Sequence, residues 1–150
     1  MGYERGSGSL LESPPESDRS TTLDIESFHE LAAKDARLQE LSEEIHEKID
    51  TYVIAKRRHV AYLKNDIARQ REPERYAERA KKIEVDRYGA HNELIAAVSS
   101  FAQRCQKLGF DTTWWDGPDG LAQSNDYKTT RGKIDDWAMD FELAKDDDDA

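Results

Sequence analysis

The sequence predicts an all-α protein: a long, antiparallel, coiled-coil-like helical hairpin followed by a short amphipathic helix, with disordered ends. Three observations carry this. Apolar residues recur at helical spacing over two long stretches. Only one proline, Pro73, lies between residues 23 and 108. Charged residues make up 36% of the 150 and apolar ones 37%, which suits helices burying narrow stripes better than a thick globular core.

Residues 1–22 are rich in Gly, Ser, Pro and Glu, and Leu10-Leu11 is their only aliphatic pair. Such a segment buries too little apolar surface to offset its ordering entropy, so it reads as disordered. Thr21-x-x-Asp24 resembles a capping box and marks the start of the first helix. The stripe that follows is Leu31, Leu38, Leu41, Ile45, Ile49, Val53, Val60, Leu63 and Ile67, with spacings of 7, 3, 4, 4, 4, 7, 3 and 4. This is close to a heptad, with a stutter between Ile45 and Val53. No Gly or Pro interrupts residues 23–70. The spacing therefore predicts one continuous helix to about Arg69, roughly 70 Å long at 1.5 Å per residue.

Pro73 suits the first position of a new helix, and it biases Glu72 away from helical geometry. A second helix is expected from Pro73 to Leu108, with Tyr76, Ala80, Ile83, Leu94, Val98, Phe101, Cys105 and Leu108 on its apolar face. Gly109 is placed to cap it, and Tyr88-Gly89 is a soft spot. A short break makes neighbouring helices antiparallel. Leu41, Ile45 and Ile49 should then pack toward Leu94, Val98 and Phe101, and the acidic stretch 24–50 should lie near Arg104 and Lys107.

The hairpin is thus assigned to 23–109. Residues 110–145 form a loop and a last helix. The loop carries Asp116-Gly-Pro-Asp-Gly120, dense turn chemistry, and the helix is expected at about 130–144 with Ile134, Trp137, Ala138 and Phe141 on one face. Residues 146–150 read as an acidic disordered tail.

The net charge of −10 is unevenly spread. Residues 1–55 hold 5 Lys/Arg against 13 Asp/Glu, residues 56–87 hold 11 against 6, and residues 88–150 hold 6 against 13. A fold-back at Pro73 gathers the basic segment at the hairpin tip. Arg57, Arg58, Arg71, Arg75, Arg79 and Lys82 are then candidates to contact phosphate or an acidic surface, against the plainer reading of a solvated face. Trp114, Trp115, Trp137 and Phe141 are candidate partner-binding residues, because large aromatics anchor interfaces. They equally serve to pin a terminal helix to a bundle.

Catalytic and metal motifs are weak. Glu26-x-x-His29 and Glu43-x-x-His46 have the ligand spacing of carboxylate-bridged di-iron bundles. On one continuous helix, however, the 17 residues between His29 and His46 put them about 25 Å apart, so no metal is expected. His46-Glu47-x-x-Asp50 lacks the second histidine of a zinc-protease motif. Asp111, Asp116, Asp119 and Asp126 lack EF-hand spacing. Cys105 lies on an apolar stripe with no group nearby to activate it. No cofactor is expected.

The expectation is a non-enzymatic interaction protein, acting in assembly, as an adaptor or as a regulatory subunit. It would bind a protein partner or its own copy through stripes that a two-helix hairpin leaves uncovered. The alternatives are nucleic-acid binding through the tip and an acidic inhibitor imitating nucleic acid. No apolar run approaches the roughly 20 residues of a membrane span. A lone cysteine without an export signal points to the cytoplasm.

Overall fold

The computed structural model describes residues 23–124 and 127–149. The stretch expected to be disordered, 1–22, lies outside the described residues, as do Thr21 of the expected capping box and Asp126 of the aspartate loop. The described chain is helical, without strands: α1 (Ile25–Ala32), α2 (Ala36–Leu63), α3 (Asp66–Arg71), α4 (Pro73–Lys107), α5 (Thr113–Asp116), a 3-10 turn (Leu121–Ser124) and α6 (Tyr127–Asp149).

The hairpin is formed by α2 and α4, the most extensively packed pair of helices. Its direction is read from paired side chains. Asp35 meets Arg104, Lys48 meets Glu93, and Tyr62 stacks on Tyr76, so numbers rise along one helix as they fall along the other. Leu41, Ile45, Ile49, Leu94, Val98 and Phe101 all lie in one core cluster, as expected.

The first helix departs from expectation. It is three segments, not one 70 Å rod, because two side chains cap new helices within it. Asp35 accepts a hydrogen bond from the Leu38 amide at 3.0 Å, and Asn65 accepts one from the Ala68 amide at 3.1 Å. Each satisfies a donor left open at a helix start and so makes a break affordable without Gly or Pro. The first break folds α1 back against α2. Asp24, extended and bonded to the Ser27 amide at 2.7 Å, caps α1 in turn.

The Pro73 break stands where expected. Glu72 has φ −139° and ψ 73°, and Pro73 is the first helical residue. Gly89 does not divide α4. Gly109, at φ 81°, ends it. The Phe110 amide bonds the Cys105 carbonyl and the Gly109 amide bonds that of Gln106, the paired closure that a left-handed residue permits.

The loop after α4 is more structured than expected, holding α5 and the 3-10 turn, and Leu121 is buried there. The last helix is longer than 130–144. Its backbone stays helical through Asp149, into the segment expected to be a disordered tail. Its apolar face is the expected one: Ile134, Trp137, Ala138 and Phe141 are all buried. This face packs on α2 and α4 and covers the seam that a bare hairpin leaves open. The core thus lies where α1, α2, α4 and α6 converge, at the end away from the tip. Toward the tip the expected stripe fades, with Leu63 at the end of α2 43% and Ile67 on α3 68% exposed.

Candidate functional site

Tip geometry follows from the second break. The last turn of α2 leaves carbonyls without helical partners. Arg69 Nη2 donates to the Leu63 carbonyl at 2.7 Å, and the Tyr76 hydroxyl donates to the Tyr62 and Leu63 carbonyls at 3.3 and 3.2 Å. Tyr62 and Tyr76 stack with ring centroids 5.0 Å apart and 13° between planes, and the Arg69 guanidinium lies 5.5 Å from the Tyr76 ring. These contacts hold α3 as a cap over the open end of the hairpin.

Two adjoining grooves result. One, of about 460 Å³, runs between α3 and α4 and includes Tyr62, Ile67, Arg71, Arg75, Tyr76 and Arg79. The other, of about 330 Å³, includes Arg58, Arg75, Glu78, Arg79, Lys82 and Asp86. Arg75 and Arg79 belong to both. Five of the six basic residues singled out from sequence therefore share one surface. The cations are interleaved with Glu72, Glu78 and Asp86. Arg75 pairs with Glu72 at 3.2 Å, while Arg58, Arg71, Arg79 and Lys82 make no salt bridge among the described residues. Arg57 is the exception: it turns to α6 and meets Glu142 at 3.5 Å, away from the grooves.

The four aromatic candidates sit elsewhere and inside. Trp137 is buried and donates from Nε1 to the Leu23 carbonyl at 2.6 Å. Phe28 packs edge-on against Trp137 and Phe141, at 5.8 and 5.3 Å, and lies 4.9 Å from Phe101. Trp114 is buried against Phe101, and Trp115 is half-buried. Trp114, Trp137 and Phe141 are thus buried where α1, α5 and α6 join the hairpin, which leaves Trp115 the most exposed of the four.

The sequence reading missed a buried polar cluster where α2, α4 and α6 meet. Asp135 accepts from the Tyr52 hydroxyl at 2.5 Å and from Lys56 Nζ at 2.6 Å, and Arg87 Nη2 lies 3.5 Å away. Arg87 Nη1 is 3.2 Å from His59 Nδ1, and the wholly buried His91 ring lies 5.9 Å from that of Tyr52. Burial pushes the Asp135 carboxyl up, but Lys56, Tyr52 and Arg87 outweigh it and hold it below the usual carboxylate range. Burial and the Asp135 contact push the Tyr52 phenol far above its ordinary value, so it stays protonated. Burial drives His91 toward its neutral form. The signal was present in α4. Its apolar stripe skips from Ile83 to Leu94, and Arg87 and His91 occupy the missing inward positions.

At the far end Asp35 binds Arg104 through both oxygens, at 2.8 and 2.9 Å, as the acidic stretch was expected to do. The Arg104 hydrogen bonds hold the Asp35 carboxyl at about 2. Burial pushes the Cys105 thiol up to about 11, as for a thiol packed among apolar side chains.

The histidine pairs need correction. Because α1 folds back, His29 and His46 are not 25 Å apart: their Nε2 atoms are 3.3 Å apart. Among the described residues no group of three or more His, Cys, Asp or Glu converges on a metal position, and no helix is long and apolar enough to cross a membrane. No protein-family model, no curated protein and no solved structure matches the chain.

Proposed function

We propose that this is a non-enzymatic helical interaction protein whose working surface is the basic tip, and that its partner is a protein with a predominantly acidic face. The observation that carries the reading is the pair of adjoining grooves. They place Arg58, Arg71, Arg79 and Lys82 on one exposed surface, with no salt bridge among the described residues, on a chain whose remaining charge is strongly negative. Such residues form new charge-assisted contacts without breaking old ones. The interleaved Glu72, Glu78 and Asp86 favour a protein over a phosphodiester backbone. A uniform polyanion is repelled at those three positions, whereas a mixed protein surface can match them.

This differs from assembly through open hairpin stripes, because α6 already covers the seam within one chain. Self-association through that seam would therefore have to displace α6.

A second reading, nucleic-acid binding at the same grooves, draws on the Tyr62–Tyr76 pair beside the arginines, since aromatic rings and guanidinium groups stack on bases. Fluorescence anisotropy separates the two. Probes are a labelled 20-residue Asp/Glu-rich peptide with interspersed Lys, and single-stranded and duplex 20-mers. The expected result is salt-sensitive binding of the peptide, lost in the R58E/R79E/K82E variant, with weaker binding of both nucleic acids. Tighter binding of a nucleic acid, lost in the same variant, establishes the second reading. Binding of no probe, or binding indifferent to the variant, returns the tip to a solvated face.

A further inference from the structure

The α1–α2 fold-back brings together two residues far apart in sequence. His29 on α1 and His46 on α2 face each other through Nε2 atoms 3.3 Å apart, with ring centroids 5.4 Å apart and 26° between planes. The pair sits at the edge of the aromatic core. Phe28 lies 5.7 Å from each ring, and Phe141 packs edge-on at 6.3 and 5.6 Å. His29 is exposed and His46 half-buried, so solvent reaches the pair from one side.

We propose that His29 and His46 form a two-imidazole chelate for a divalent first-row transition ion of the zinc type, bridging α1 to α2. The argument is geometric. Zinc–imidazole bonds of about 2.0–2.1 Å at a tetrahedral angle put two ligand nitrogens about 3.3–3.4 Å apart. Without an ion the 3.3 Å contact is a hydrogen bond between the two rings, one Nε2–H donating to the other Nε2, and the same separation matches the bite of a bound ion that would replace that proton. Both nitrogens presented are Nε2, and imidazole is a ligand that zinc, copper and nickel share.

No third ligand stands in place among the described residues, so water completes the shell. Asp50 lies one helical turn beyond His46 on α2. It is half exposed and tied to Lys145 only at 3.5 Å, so it is free to turn toward the ion. The flanking Phe28 and Phe141 hold the two rings in register, which limits the reorganisation on binding.

The test is titration of the full chain with zinc chloride at pH 7.5, followed by calorimetry, together with the absorption spectrum of bound cobalt(II) as a geometry report. The expected result is one site per chain, a tetrahedral cobalt spectrum and a melting temperature that zinc raises and a chelator restores. His29→Gln and His46→Gln should each weaken binding by about tenfold or more, since loss even of a supporting group costs about 10–100-fold. His29 is exposed, so H29Q folds even where H46Q does not, and the helical circular dichroism of each variant checks this. No saturable binding, or binding of undiminished affinity in H29Q, overturns the proposal.

Discussion

Removing Asp135 should destabilise the protein far more than removing any surface carboxylate. Asp135→Ala takes one acceptor away from three donors at once: the Tyr52 hydroxyl, Lys56 Nζ and Arg87 Nη2. The Arg87 and Asp135 side chains are only 8% and 12% exposed, so the guanidinium is left in the interior without its counterion. Breaking a buried ion pair from one side costs about 3–5 kcal/mol, against about 0–1 for an exposed pair. Lys56, at 23% exposed, can swing out to water, which favours the lower end, about 3 kcal/mol. For a chain of this size that is a fall in Tm of about 10 °C. Urea denaturation followed by helical circular dichroism measures it. Tyr52→Phe, which removes one donor and leaves the ions paired, should cost about 1–2 kcal/mol. A loss below about 1 kcal/mol for Asp135→Ala would refute the reasoning, because it would mean that Arg87 and Lys56 are as well solvated without Asp135 as with it.

Four further outcomes follow from the same structure. Phe101→Ala, at a wholly buried ring, should cost about 4 kcal/mol in urea denaturation, whereas Ile67→Ala at the exposed tip should stay within about 0.5 kcal/mol. Gly109→Ala, which forces a side chain into left-handed geometry at φ 81°, should cost about 1 kcal/mol in the same assay. Asp35 and Asp135 both have carboxyls held below the ordinary value near 3.8, so their contribution is present in full above that pH and is lost as pH falls through their lowered values. Thermal melts should accordingly show Tm falling below about pH 4 on their account, with that acid-sensitive component reduced in Asp35→Asn. Spin labels at the exposed positions Glu40 and Gln103 should lie about 20 Å apart, given helix axes about 8–10 Å apart. A continuous rod would place them about 95 Å apart.

What the sequence disclosed depended on whether one residue's chemistry was enough to decide the local outcome. Pro73 lacks an amide hydrogen and Gly109 tolerates left-handed geometry, so both helix ends could be placed from their identity. The inward faces of α2, α4 and α6 were legible for the same reason: Leu41, Ile45, Leu94, Val98, Ile134 and Trp137 recur with the period of a helix. The breaks at Asp35 and Asn65 were not, because neither residue forbids a helix. Each ends one only by capping the next, and that choice is settled by tertiary contacts such as the Asp35–Arg104 pair. One missed break changed the reading of the histidines completely, since on an unbroken helix they cannot meet. The basic tip was legible as charge. Its shape was not, because the grooves depend on α3 folding over Tyr62 and Tyr76. The Asp135 cluster escaped because polar residues at inward positions break the apolar pattern that sequence reading follows, and their partners come from three separate helices.

The central claim is that the tip is the surface this protein works through. Its most direct test is parallel affinity capture from native host extract, quantified by mass spectrometry, with three baits: the unaltered chain, R58E/R79E/K82E at the tip, and E43K/E44K on the exposed acidic face of α2. The account predicts an acidic-faced protein recovered by the first and third baits and depleted about tenfold or more from the second, a loss of about 1.4 kcal/mol or more in binding. Equal recovery by all three baits, or a loss confined to the E43K/E44K bait, would contradict it.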